Sequence, residues 1–154
     1  MIHCKPRTIF SWDFRLEGES HQASMEMNWM SEQGSIVADR TNYKIMKHGV
    51  LSGNWTLELE GQEFAVAQKS TATRRTFEIS SPMGDLTLIP ESILNRCFRL
   101  ESSGEVIARI KPAHPFTRRS EIEVHGADFD FPTICFAYWL VLITWRRSNK
   151  NSSG

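Results

Sequence analysis

The chain has 154 residues, enough for one domain with its own core and too few for two of ordinary size. Its content of 40% hydrophobic, 23% charged and 10% aromatic residues is that of a globular protein, which excludes collagen, coiled coil and intrinsic disorder. Lys and Arg total 18 and Asp and Glu total 18, so bulk charge gives no reason to expect a nucleic-acid partner, and any charge-driven function has to come from a local patch.

The first residues carry no apolar run of signal-peptide length before Asp13 and Arg15, so no secretory leader is expected. From Thr8 to Leu16 the residues Phe10, Trp12, Phe14 and Leu16 alternate with Ser11, Asp13 and Arg15, which predicts a strand with one buried face. The same alternation returns in Met25, Met27 and Trp29, then Trp55, Leu57 and Leu59, then Phe77 and Ile79, and then Leu86 and Leu88. Phe98 with Leu100 and Ile122 with Val124 complete the series. Glu17-Gly18, Gln33-Gly34-Ser35, Ser52-Gly53-Asn54, Glu60-Gly61-Gln62, Met83-Gly84-Asp85 and Ser102-Ser103-Gly104 separate these runs as turn signals. The spacing predicts about ten or eleven short strands of an all-β sandwich or barrel.

An internal repeat supports hairpins laid side by side. Trp55 to Lys69 lines up with Phe98 to Lys111, each reading as strand, glycine turn and strand, and each followed by an arginine pair, Arg74-Arg75 and Arg118-Arg119. Gly34-Ser35-Ile36-Val37-Ala38-Asp39 reads as a third, weaker copy.

The C-terminal element differs in kind. Phe131 to Trp145 carries no charge, Asp128 and Asp130 precede it, Pro132 stands where a first helical turn tolerates proline, and Arg146-Arg147 close it. This predicts a helix over about 131–147, with 148–154 left as a flexible polar tail. Its fifteen uncharged residues would span roughly 22 Å, short of a bilayer core of about 30 Å. A helix apolar on every side has to be covered on every side, and a closed sheet of more than eight strands can do that.

This pattern resembles the tubby C-terminal-like superfamily, which includes tubby proteins, phospholipid scramblases and LURP-one-related proteins. The residues that carry the resemblance are Gly61-Gln62-Glu63-Phe64-Ala65, Gly104-Glu105-Val106-Ile107-Ala108, and Asp128-Phe129-Asp130-Phe131-Pro132 leading into Ile134 to Trp145. It implies a mainly β fold, a closed antiparallel β-barrel of about 10–12 strands around one buried hydrophobic C-terminal helix, in a single domain over 1–147. It also implies binding of phosphoinositides through basic surface residues.

The candidate site follows from the repeat. Arg74, Arg75, Arg118 and Arg119 occupy corresponding places in the two hairpins, with Lys69 and Lys111 before them, so six cations could gather on one rim and grip phosphate oxygens. The alternative for these residues is a set of solvated strand ends paired with Glu78, Glu121 and Glu123. Asp128 and Asp130 are too few for a calcium shell and read as helix caps, and His3, His21, His48, His114 and His125 show no metal-binding spacing. Cys4, Cys97 and Cys135 form no disulfide or zinc framework, and with Cys97 and Cys135 read as core thiols no nucleophile stands beside a base. The expectation is a cytoplasmic, non-enzymatic binding or scaffold module without metal or cofactor, peripheral to a membrane. Its partner would be an anionic membrane surface or phosphoinositide, or another protein, and not nucleic acid. Two alternatives stand beside it: a tail-anchored protein with residues 131–145 in the bilayer, and a barrel carrying a small apolar ligand.

Overall fold

Strands with one apolar face need a partner surface, and a sheet that closes on itself supplies one to every strand at once while leaving no edge. The structure, a computed structural model, describes residues 1–49, 51–71, 75–92 and 96–152. Twelve antiparallel strands follow one another: β1 (Ile2–Pro6), β2 (Phe14–Glu17), β3 (Gln22–Asn28), β4 (Gln33–Ala38), β5 (Thr41–Lys47), β6 (Asn54–Leu59), β7 (Gln62–Lys69), β8 (Phe77–Ser81), β9 (Gly84–Pro90), β10 (Phe98–Ser102), β11 (Glu105–Pro112) and β12 (Ser120–Val124). Each pairs with its neighbour in sequence, and β12 meets β1 through Ile2 opposite Ile122, which closes the barrel. The helix α1 (Phe131–Ser152) runs through it.

The expected barrel is present, and several local readings change. The run from Thr8 to Leu16 is a strand only from Phe14. Before it, Phe10 stands 90% exposed in a loop, and Trp12 lies half-buried outside the ladder. Trp29, expected on a buried face, lies one residue past β3 and is 55% exposed. Alternation alone cannot mark where a strand stops pairing. Gln33-Gly34-Ser35 is no turn but the start of β4, with Gly34 opposite Met27 and Ile45. A Cβ on Gly34 would come within 1.9 Å of the Glu26 carbonyl oxygen and 2.7 Å of the Trp139 ring, so glycine here admits the helix against the wall rather than bending the chain.

The two strong repeat copies are equivalent hairpins. β6–β7 and β10–β11 carry a register shift at matching places, between Leu57 and Glu58 and between Leu100 and Glu101. Both turn on two residues with positive φ, Glu60-Gly61 and Ser103-Gly104, as the twist of a two-residue hairpin requires. The third copy fails, because its glycine sits inside a strand.

The inward positions of the strands and nearly every helix residue from Phe131 to Trp145 form one core, with Trp55, Trp139, Tyr138, Phe14, Phe77 and Phe136 its largest members. An unpaired hydroxyl in this interior would be costly. Ser120 Oγ and Tyr138 OH therefore satisfy each other at 2.5 Å, and Thr144 Oγ1 donates to the Leu140 carbonyl at 2.9 Å. Asp130 is the N-cap: its Oδ2 accepts from the Thr133 amide at 3.0 Å and from the Thr133 hydroxyl at 2.5 Å. Asp128 stays exposed. The helix continues past 147 to Ser152, where a polar tail was expected. Once the buried stretch is formed, each added residue gains a backbone hydrogen bond without needing an apolar partner. Among the described residues no helix is long and apolar enough to cross a membrane.

Candidate functional site

In an up-and-down barrel successive connections alternate between the two ends. Here β2–β3, β4–β5, β6–β7, β8–β9 and β10–β11 are joined by two to four residues at one end, where the helix begins. The other six connections take four to seven residues and surround the helix C-terminus. These are called the turn end and the loop end.

The topology puts the described members of the expected cation rim at the loop end. Lys69 ends β7, Lys111 is the penultimate residue of β11, Arg75 lies in the β7–β8 loop, and Arg118 and Arg119 lie in the β11–β12 loop. Arg74 falls outside the described residues. The two hairpins are four strands apart, about 19 Å around the wall at about 4.8 Å per strand, so their cations form two clusters on one rim rather than one tight nest. Arg119 and Arg75 are exposed, and Arg118 is not available in the same way. Its guanidinium lies 4.6 Å from the Trp12 ring and 5.8 Å from that of Phe14, and Nη1 donates to the Ile9 carbonyl at 2.5 Å. It ties the β11–β12 loop to the β1–β2 loop. Lys111 lies opposite Glu121 in the ladder. Glu121 and Glu123 stand within ion-pair reach of His3 and His125, at 3.8 and 3.6 Å, rather than of the rim arginines.

A second basic group at this end was not expected. Glu32 is 5% exposed, and its carboxylate takes Arg147 Nε at 3.0 Å, Arg147 Nη2 at 2.7 Å and Lys47 Nζ at 2.7 Å. Burial pushes its carboxyl up, and the hydrogen bonds from Arg147 and Lys47 outweigh that and hold it below the usual glutamate range. Two cations on one carboxylate leave a net positive centre. They also lie over the Trp55 ring, Lys47 at 5.5 Å and Arg147 at 5.6 Å. Beside them opens a cavity of about 400 Å³ lined by Lys47, Leu51, Ser52, Gly53, Lys69, Thr71 and Arg147. Burial pushes the Lys69 ammonium down, and repulsion from Arg147 and Arg75 adds to it, the mark of a place where positive charge is crowded.

Charge and exposed apolar surface both distinguish the ends. At the loop end Arg75, Arg119 and Arg146 have no carboxylate partner within 4 Å among the described residues, while Arg7 at the same end pairs with Glu26, and on the strands Lys5, Arg99 and Arg109 pair with Glu17, Glu101 and Glu91. The turn end carries Glu19, Asp39, Glu60, Asp128 and Asp130 against Arg40. A larger hollow of about 750 Å³ lies near the turn end, and polar groups of its lining satisfy each other. His21 Nδ1 meets Asp39 Oδ2 at 2.5 Å, and the Gln22 amide donates to Asp39 Oδ1 at 2.8 Å. Ile9, Phe10, Trp29, Met30, Leu51 and Phe116 are large apolar residues exposed in loop-end connections.

Of the cysteines, Cys4 and Cys135 are buried, and burial pushes both thiols far up from their ordinary range, which leaves them unreactive. Cys97, expected in the core, lies partly exposed at the edge of β10. The signal that locates the missed residues is positional. Lys47 ends a strand and Arg146-Arg147 follow the buried stretch of the helix, and all three follow from knowing which end each element points to, which requires the full strand count. No family model matches the chain, and comparison with curated proteins and with solved structures finds no match.

Proposed function

We propose that the protein is a non-enzymatic binding module whose loop end docks on an anionic phospholipid surface, with the barrel as scaffold and the helix as its core. The observation that carries this reading is the gathering of Arg75, Arg119, Arg146 and the Lys47–Arg147–Glu32 centre at one end, away from the carboxylates of the other. A chain of zero net charge has little long-range attraction for an anionic surface. A chain polarised along its axis turns one end toward that surface, and each cation near it contributes about 1 kcal/mol. Guanidinium forks suit phosphate oxygens. The resemblance of the sequence pattern to the tubby C-terminal-like superfamily, with its phosphoinositide-binding members, supports the same reading and, with it, a cytoplasmic location at a membrane surface.

Flotation of detergent-free protein with vesicles tests the reading. Binding is expected to phosphatidylcholine vesicles containing phosphatidylserine or phosphoinositide, to weaken as salt is raised, and to be lost on phosphatidylcholine alone. Changing Arg75, Arg119 and Arg146 together to Gln should weaken it about 100-fold. Flotation indifferent to salt and to the charge of the lipid would overturn the proposal and favour an apolar anchor.

A further inference from the structure

The exposed apolar residues of the loop end are not scattered. The connections β11–β12, β1–β2, β3–β4 and β5–β6 stand next to one another around the rim, because β12 pairs with β1. Their tips carry Phe116, Phe10, Trp29 and Leu51, with exposures of 94%, 90%, 55% and 99%. Apart from Met1 and Val37, every large apolar side chain found exposed among the described residues belongs to one of these four loops. Single exposed apolar residues are ordinary, but their gathering at one end among the described residues is not.

The loops hold these side chains outward by local polar bonds beneath them. Asp13 accepts from the Met27 amide at 2.9 Å, and its own amide donates to Ser11 Oγ at 2.8 Å, which fixes the base of the β1–β2 loop. Asn28 Oδ1 accepts from the Met30 amide at 3.0 Å, and the Phe116 amide donates to His114 Nδ1 at 3.3 Å. Each tip also has a cation beside it. Arg118 bonds the Ile9 carbonyl next to Phe10, Arg146 lies 5.3 Å from the Trp29 ring, Leu51 shares a cavity wall with Lys47 and Arg147, and Arg119 follows Phe116 in its loop.

From this arrangement we infer that Phe10, Trp29, Leu51 and Phe116 insert between the headgroups of an anionic bilayer, so that the barrel stands on the membrane with its loop end down and its helix C-terminus facing the lipid. This rests on the docking reading above and adds depth and orientation to it. The chemistry selects a bilayer over a protein partner. A protein interface concentrates its apolar side chains in one desolvated centre, whereas here the apolar tips stand on four separate loops with cations between them. A membrane interface accepts that alternation, because aromatic and aliphatic side chains sink below the phosphates that Arg119 and Arg146 can bind. The carboxylates of the turn end oppose the reverse orientation.

The test uses the full chain with phosphatidylcholine vesicles containing phosphatidylserine, some prepared with brominated acyl chains. Bromine quenches only tryptophan that reaches the acyl region. Quenching is expected in the wild-type protein and should fall sharply in Trp29→Phe. Replacing Phe10, Trp29, Leu51 and Phe116 together by Ser should weaken vesicle binding about 100-fold, leaving the thermal melt within a few degrees of wild type because these side chains bury little within the fold. Salt-sensitive binding without quenching would overturn insertion while leaving headgroup docking standing. No binding to the acidic vesicles would overturn both. The quenching measurement on wild-type protein keeps the inference open to refutation even if the fourfold variant folds poorly.

Discussion

The two ends of the barrel are built from the same strands and differ in what joins them. At the turn end, connections such as Glu60-Gly61 and Ser103-Gly104 use the fewest residues a hairpin allows, and the helix enters under the Asp130 cap with Phe131 stacked 4.6 Å from the His21 ring. At the loop end the connections are longer, and the helix is held by side chains that also make up the candidate site. Arg147 binds Glu32, and Trp145 Nε1 donates to the Arg96 carbonyl at 3.1 Å with the Arg96 guanidinium 4.5 Å from its ring. One end is therefore closed by short turns and a helix cap and the other by longer, cation-bearing connections, with the buried helix as the element common to both.

Breaking that common element should affect both ends together and most severely. Leu140 is fully buried at the middle of the helix, so Leu140→Asp would place an unpaired charge in the core. Loss of soluble, cooperatively melting protein is expected in circular dichroism; a folded variant would contradict a helix enclosed by the barrel. Deleting residues 131–154 should likewise aggregate the remaining strands.

Glu32→Gln strikes the loop end alone. It leaves Arg147 and Lys47 without their buried carboxylate and should cost about 2–4 kcal/mol in urea unfolding. The sign with pH follows from the direction of the shift. The folded carboxyl ionises below the ordinary glutamate value of 4.5, so its stabilisation is present above that pH and is lost as pH falls through the folded value. Wild-type stability should therefore drop in acid by an amount that Glu32→Gln no longer shows.

The smallest effect belongs to the turn end. Asp130→Ala removes one capping acceptor at the helix start and should cost about 1 kcal/mol, or about 2–4 °C in melting temperature, with no change in vesicle binding. A large loss of binding in this variant would contradict the division of labour between the ends.

Much of the barrel is legible in the sequence because its physical signals are local. Alternation marks inward faces, glycine marks two-residue turns, and an uncharged fifteen-residue run marks a helix that has to be enclosed. The repeat is informative for a reason visible only in the fold. Trp55 and Phe98 are 43 residues apart, and the loop-end connections begin at 7, 29, 48, 70, 91 and 113, so the repeat spans two hairpins and returns its arginines to the same end. What escaped the sequence depends on where pairing stops. Phe10 and Trp29 continue an apolar alternation past the last ladder bond, and only the strand limits turn them from core residues into exposed tips. Arg118 reads as a rim charge until Trp12 and the Ile9 carbonyl, more than a hundred residues away in sequence, are seen to claim it. Glu32 and its two cations come from three separate elements, and no spacing in the chain announces them.

The central claim is that the loop end, and not the turn end, meets the membrane. Amide hydrogen exchange of the full chain with and without phosphatidylserine-containing vesicles tests it most directly. The account requires slowed exchange in residues 7–13, 29–32 and 113–119, with residues 18–21, 39–40, 60–61 and 103–104 unchanged. Protection at the turn end, or none at either end under conditions where the protein floats with the vesicles, would contradict it.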